Sequence, residues 1–358
     1  MLVCSTCHLP LTMDAPVCVR CGAARPDDGW DQERWCGLVL LDRYEVERRI
    51  GAGATGAAYR ARDRRAVGAP RYVLVKFLHG SQMADPWLVE RFRVEALAGA
   101  MVPHPGVART IAYAATAKLA VLVREYIPGR SLASKLRDEG PPSLAEAVEI
   151  GASIADALAA SHGAGVVHRD IKPQNVYLTP DGFGGETPRI LDFGFALVQL
   201  PDGQVLGATR PGLIVGTPAY MAPEQTRQGP VDGRADQYSL GVVLYRMLTG
   251  RRPLTGRTVA EQIQLNRTLA PLSARSAAPA RNIPRALDAI VMRLLHKRAD
   301  RRFASAVELA DELRAVRLEP RRLFRPVRQA FRPAAEARRS ADDVPRLSML
   351  GLLRGFSS

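Results

Sequence analysis

The chain has 358 residues, 47% of them apolar, which is enough for one large domain with a real core and smaller extras. Its net charge of +14 rests on 45 arginines and only 5 lysines, a bias that reflects coding composition more than nucleic-acid binding, so each lysine stands where arginine was the easy alternative. No apolar run nears the ~18 residues of a membrane span, no signal-type segment opens the chain and no solenoid period occurs, so the sequence reads as cytoplasmic.

Four of the five cysteines form Cys4-Ser-Thr-Cys7 and Cys18-Val-Arg-Cys21-Gly22, with ten residues between the pairs. Two C-x-x-C knuckles at this separation can close one tetrahedral Cys₄ zinc site, Gly22 easing the turn after the last ligand. Residues 1–25 resemble the short zinc ribbons of many bacterial multidomain proteins. So small a segment has no core of its own, and metal binding would supply its folding energy. Two disulfides are the structural alternative. His8, next to a ligand, could replace one but reads as a bystander, and Cys36 lies outside the pattern as a buried or free thiol. The ribbon's partner, protein or nucleic acid, is left open by the residues. Residues 26–42, with Pro26, Asp27, Asp28 and Gly29, read as linker, with Trp30 and Trp35 to dock it onto the next domain.

From residue 43 the pattern changes. A weakly alternating stretch at 44–50 leads into Gly51-Ala52-Gly53-Ala54-Thr55-Gly56-Ala57-Ala58. A lone G-x-G-x-x-G could equally open a dinucleotide fold. The strand-like run at 72–77, where a helix would then be expected, favours a hairpin over a dinucleotide fold. Leu88, Val89, Phe92 and Leu97 predict a helix over 86–101, ended by His104-Pro105. The run 119–123 predicts a strand, followed by Glu125-Tyr126-Ile127-Pro128-Gly129. Leu144, Val148, Ile150, Ile154 and Leu158 predict a buried helix over 142–160. It feeds His168-Arg169-Asp170-Ile171-Lys172-Pro173-Gln174-Asn175-Val176-Tyr177, and Leu191-Asp192-Phe193-Gly194 comes next. These residue types suit phosphoryl transfer. Asp170 can accept a hydroxyl proton, Lys172 can steady the moving group, and Asn175 with Asp192 can hold magnesium against phosphates.

The stretch H-R-D-x-K-x-x-N followed by D-F-G resembles the eukaryotic-type protein kinases, as do Gly216-Thr217-Pro218 and Ala222-Pro223-Glu224 further on. The resemblance covers residues 44 to about 316 and implies an α+β, two-lobed protein kinase fold over 43–316, behind the zinc ribbon. It implies a Ser/Thr kinase using ATP and Mg²⁺ on protein substrates, itself included. By resemblance Asp170, Lys172 and Asn175 are catalytic, and Asn175 and Asp192 hold magnesium. Ile50, Gly51, Gly53, Gly56, Ala58, Lys76, Glu95, Glu125 and Ile127 bind ATP, with Val73-Leu74-Val75-Lys76 at the place of V-A-I-K and Glu95 as the ion-pair partner of Lys76. Asp236 should anchor the catalytic-loop backbone from behind, with a simple helix N-cap as the plainer role, and Glu224 should pair with Arg302. The adenine pocket departs from the family. Ala58 stands for a usual Val and Leu74 for a usual Ala, Tyr177 lies at the floor, and Arg124 precedes the hinge, where a buried guanidinium needs a partner. Arg169 before Asp170 implies a phosphate receiver, and Thr209 is the one hydroxyl residue between Gly194 and Gly216, hence the expected phosphosite.

Residues 317–358 read as a basic, disordered tail: from 314 onward there are 11 arginines against 4 acids, broken by Pro320, Pro326, Pro333 and Pro345. Two other classes of protein fit parts of the pattern. A pseudokinase scaffold would bind partners without transferring phosphate, yet no catalytic residue is missing. A small-molecule kinase shares the loop but lacks the peptide-docking end at 216–224.

Overall fold

The computed structural model describes residues 15–24, 35–53, 56–67, 71–208, 216–227 and 230–317, together with three short strands, β1 (Leu2–Val3), β2 (Pro10–Leu11) and β3 (Asp31–Gln32). These three form an antiparallel sheet in the order β2-β1-β3, so the segment expected to be linker contributes a strand to it.

Six further strands form one antiparallel sheet: β4 (Val39–Leu40), β5 (Tyr44–Gly53), β6 (Gly56–Asp63), β7 (Tyr72–His79), β8 (Thr110–Ala115) and β9 (Leu119–Glu125), ordered β4-β5-β6-β7-β9-β8. The period of two along β7 sorts its side chains by face. Val73, Val75 and Phe77 join Tyr44, Val46, Tyr59, Val121 and Val123 in an outer core. Leu78 turns the other way, onto Leu122 and Phe92, and the same alternation carries Leu74 and Lys76 to that inner face. Trp35 packs on the outer core and stacks on Phe77 with ring centroids 4.6 Å apart, so the end of the expected linker belongs to this lobe.

Helix α1 (Pro86–Met101) crosses the inner face. Asp85 caps it, accepting from the Trp87 amide at 2.9 Å, and Pro86 at its first position has no amide to leave unsatisfied. Its inward stripe carries Arg91, Phe92, Glu95, Ala96 and Gly99.

Beyond the hinge come β10 (Arg130–Ser131), α2 (Leu132–Asp138) and α3 (Leu144–Gly163), the last capped by Ser143 through the Glu146 amide. Helix α3 buries Val148, Ile150, Ile154 and Leu158 in the largest core of the molecule. After it the chain turns at Gly165, with φ +74°, where a Cβ would lie 2.6 Å from the Gln199 carbonyl oxygen; glycine alone fits. The strands β11 (Val166–Val167), β12 (Val176–Pro180), β13 (Glu186–Ile190), β14 (Leu197–Gln199) and β15 (Val205–Leu206) make two small sheets, β10-β12-β13 and β11-β14-β15. They clamp the loop between them. The rest is helical: α4 (Arg234–Thr249), α5 (Val259–Thr268), α6 (Ala274–Ala277), α7 (Arg285–Leu294) and α8 (Ala306–Ala315). The tail from 318 lies outside the described residues. Among those that are described, no helix is long and apolar enough to cross a membrane.

Candidate active site

Between the sheet and the helical lobe lies a cavity of about 340 Å³ lined by Ile50, Leu74, Lys76, Ala108, Arg124, Glu125, Ile127, Tyr177, Leu191 and Asp192, among others. That is the size of a small-molecule site. Ile50, Lys76, Glu125 and Ile127 are thus brought together as expected of them. Leu74 and Tyr177 both belong to the cavity's lining, while Ala58 is not among the lining residues and pairs instead with Lys76 and Gly51 in the sheet. The hinge closes at Gly129, where φ is +123° and a Cβ would meet the Leu178 carbonyl oxygen at 2.0 Å. Gly51 and Gly53 on β5 and Gly56 on β6 form the end of the hairpin, Gly53 opposite Gly56; Ala54 and Thr55 lie outside the described residues.

At the back of the cavity four charges meet. Lys76 Nζ donates to Glu95 Oε1 at 2.6 Å and lies 3.3 Å from Asp192 Oδ1. Arg124 Nη1 also donates to Glu95 Oε1, at 2.9 Å, and its Nη2 reaches the Ala108 carbonyl at 3.4 Å. Burial pushes the Glu95 carboxyl up, with Lys76 and Arg124 working against it. Burial acts the same way on Asp192, but Lys76 and Arg124 outweigh it and hold that carboxyl below the usual range. The partner that a buried Arg124 requires is therefore Glu95. Asp192 itself has φ +64°, a left-handed conformation uncommon for a residue with a side chain, and its Oδ1 accepts from the Gly194 amide.

Asp170 and Lys172 are not among the lining residues of the cavity, but Asn175 is, and beside it Asp170 accepts on both carboxylate oxygens. Lys172 Nζ donates to Oδ2 at 2.6 Å and Asn175 Nδ2 to the same oxygen at 3.1 Å. Thr217 donates to Oδ1 from its amide at 2.9 Å and its hydroxyl at 2.8 Å, and that hydroxyl accepts from Lys172. Asn175 uses its amide nitrogen on Asp170, which leaves its oxygen as the atom available to a cation. The loop is held from behind by the fully buried Asp236, which accepts from the His168 amide at 2.9 Å and the Arg169 amide at 2.7 Å. Burial pulls Asp236 up, but the His162 hydrogen bond prevails and its pKa lies below the usual value. Gly233 occupies the N-cap of α4, and Asp236 stands in its first turn with its oxygens bonded to the loop amides and His162. Glu224 pairs with Arg302 through both oxygens, at 2.6 and 2.9 Å.

Arg169 donates to the carbonyls of Phe195 and Gly207, at 2.7 and 2.6 Å. Arg91, on the inner stripe of α1, joins it there, donating to Gly194 and Gly207 at 2.9 and 2.8 Å. Burial lowers both guanidiniums to about 10, with Arg91 adding its repulsion at Arg169. Nothing marks Arg91 in the sequence by motif; the available signal is its place four residues before Glu95, on the same helix face. Thr209 lies outside the described residues.

Of the cysteines expected to hold zinc, Cys4 and Cys7 lie outside the described residues. Cys18 and Cys21 flank a tight turn in which the Gly22 amide bonds the Cys18 carbonyl at 2.8 Å and the Cys18 amide bonds that of Ala23 at 2.8 Å, Gly22 having φ +72°. Among the described residues no group of three or more His, Cys, Asp or Glu side chains could hold a metal.

A glycine-bearing hairpin, a lysine–glutamate pair behind it and a paired acid–amide loop meet where two lobes join, the layout of the protein kinases. The chain belongs to the protein kinase family, matching the protein kinase domain over residues 44–313. It is 38% identical over 278 residues to the serine/threonine-protein kinase pkn2 of Myxococcus xanthus, covering 78% of this chain and 33% of that protein. With pkn3 of the same organism it shares 33% over 296 residues, 82% of this chain and 53% of the relative. With PknB of Mycobacterium tuberculosis it shares 35% over 289 residues, 78% and 44%. The chain thus spans between a third and about half of the length of these relatives.

Proposed function

We propose that the protein transfers the γ-phosphoryl group of ATP to serine or threonine hydroxyls of proteins. The observation that carries this reading is Asp170, joined to Lys172, Asn175 and Thr217 within 3.1 Å, with Asn175 lining the same cavity as Lys76 and Asp192. Adenine fits between Ile50 and Leu74 on one side and Tyr177 on the other, its edge toward the backbone of Glu125 and Ile127. Lys76 holds the α- and β-phosphates. Asn175 Oδ1 and the Asp192 carboxylate are hard oxygen donors suited to Mg²⁺, which would neutralise phosphate charge. The substrate hydroxyl approaches Asp170, whose carboxylate takes up its proton, and Lys172 steadies the transferring group. Positioning and charge do most of the work in so loose a transition state.

Labelled-phosphate transfer to the protein itself and to a generic basic protein tests this. We expect Asp170→Asn to lower turnover by about 10²–10⁴-fold while its thermal melt is retained. Equal incorporation by wild type and variant would sink the assignment, and no incorporation by folded wild type would favour a scaffold that only binds partners.

A second, separable reading concerns the N-terminus. Cys4, Cys7, Cys18 and Cys21 hold one structural zinc ion, a reading supported by the paired C-x-x-C spacing and the tight Cys18–Gly22 turn. Elemental analysis should find about one zinc per chain, and retention of the metal in Cys18→Ser with Cys21→Ser would remove these ligands from the account.

A further inference from the structure

The strand register places Arg124 unusually. On β9 it lies opposite Leu74, while Lys76 lies opposite Leu122, so both cations project from the inner face toward α1. The Arg124 side chain is 4% exposed and that of Glu95 1%. Both cations bond the same oxygen, Glu95 Oε1, and Glu95 Oε2 has no hydrogen-bond partner among the described residues. Counting Asp192, two acids and two bases share this recess.

A buried carboxylate with a single cation is a poor arrangement when that cation has another task. Lys76 must reach toward phosphates, and each step away from Glu95 would leave an uncompensated charge in a low-dielectric recess. A guanidinium differs in being tied down: the Ala108 carbonyl takes one of its nitrogens and Glu95 the other. We propose that Arg124 is a positioning residue that holds Glu95, and with it α1, in the working register, so that Lys76 is released to the nucleotide. Resting on the reading of Lys76 as phosphate anchor, this adds a second tether between the sheet and α1. Glu95 binds to a fixed partner, and Lys76 divides its time between Glu95, Asp192 and the phosphates without a charge being stranded.

The test is a double-mutant cycle on the full chain, read by equilibrium binding of ATP with magnesium, which works in variants that no longer turn over, and by the kinetics of those that do. Arg124→Met keeps length and apolar packing but removes the charge. We expect it to weaken ATP binding about tenfold and to raise KM for ATP by a similar factor with a smaller change in kcat, because Glu95 then draws Lys76 back. Arg124→Lys should recover most of the loss. In a Glu95→Gln background, Arg124→Met should add less than about twofold. The same tenfold loss in that background, or unchanged ATP binding in folded Arg124→Met, would overturn the proposal, since Arg124 would then act by packing alone or not at all. Thermal melts of each variant separate unfolding from these outcomes. Lys76→Met distinguishes the layers: if it binds ATP as wild type does, the anchor reading fails and this inference with it. Weakened binding there, with an additive Arg124–Glu95 cycle, would overturn the inference alone.

Discussion

Lys297 holds its ammonium against an aromatic ring. Its ammonium lies 3.2 Å from the Tyr238 hydroxyl and over that ring, in the company of Arg302, which Glu224 claims. Burial, then repulsion by Arg302, lowers its pKa to about 8. Below that value the charged form is carried at a cost; between about pH 8 and the ordinary lysine pKa of about 10.4 the unfolded chain binds the extra proton, so stability rises with pH. Burial pushes the Tyr238 phenol above its ordinary range, so it does not titrate in this window. We expect Lys297→Met to stabilise the protein at pH 7 by about 1 kcal/mol after allowing for solvent screening, and the gain to vanish by about pH 10 in urea melts. Equal gains at both values would refute this origin. Residues with such roles are not legible in sequence, because nothing local to Lys297 announces Tyr238, 59 residues away. Lys76, Asp170, Asn175 and Asp192 were legible, since their chemistry demands residue types at short, fixed spacing. Arg124 was legible only as a problem, a buried cation in search of a partner that lies on another element.

At the scale of elements, Trp35 shows what a short strap contributes. Its ring lies flat on Phe77 and edge-on to His79, and β4 just after it extends the sheet, pairing with β5. Trp35→Ala removes a stacked, partly buried ring, and we expect a loss of about 2 kcal/mol in stability, seen as a lower melting midpoint, with the ATP site intact at about 25 °C. An unchanged midpoint would mean the stack is ornamental. The element boundaries that sequence predicted well are those with chemical punctuation. Helix 86–101 begins at Asp85-Pro86 and stops before His104-Pro105, while the helix expected over 142–160 starts two residues later, where Ser143 caps it, and runs on to Gly163. The two small sheets around the catalytic loop escaped notice, because strands of two residues such as β10, β11 and β15 are too short to show a period.

At the scale of the whole molecule, the lobes are joined through the segment after Asp192. Arg91 from one lobe and Arg169 from the other converge on the Gly207 carbonyl, two residues before Thr209. A phosphate there would bring about −1.5 to −2 charges to two guanidiniums already gathered on backbone carbonyls of this segment. We predict autophosphorylation at Thr209, found by mass spectrometry of active protein, and about tenfold lower turnover in Thr209→Ala. Phosphate found only elsewhere, or undiminished turnover, would remove this switch. The sheet's dependence on Trp35 and β4 also bears on how such chains are assembled by recombination. A crossover at residue 44, where the family match begins, would leave the six-stranded sheet without its outermost strand and Phe77 without its stacked ring. A junction ahead of Trp35 would keep both the outermost strand and the stacked ring. The folding unit of this lobe thus starts at Trp35, several residues before the family match begins at 44.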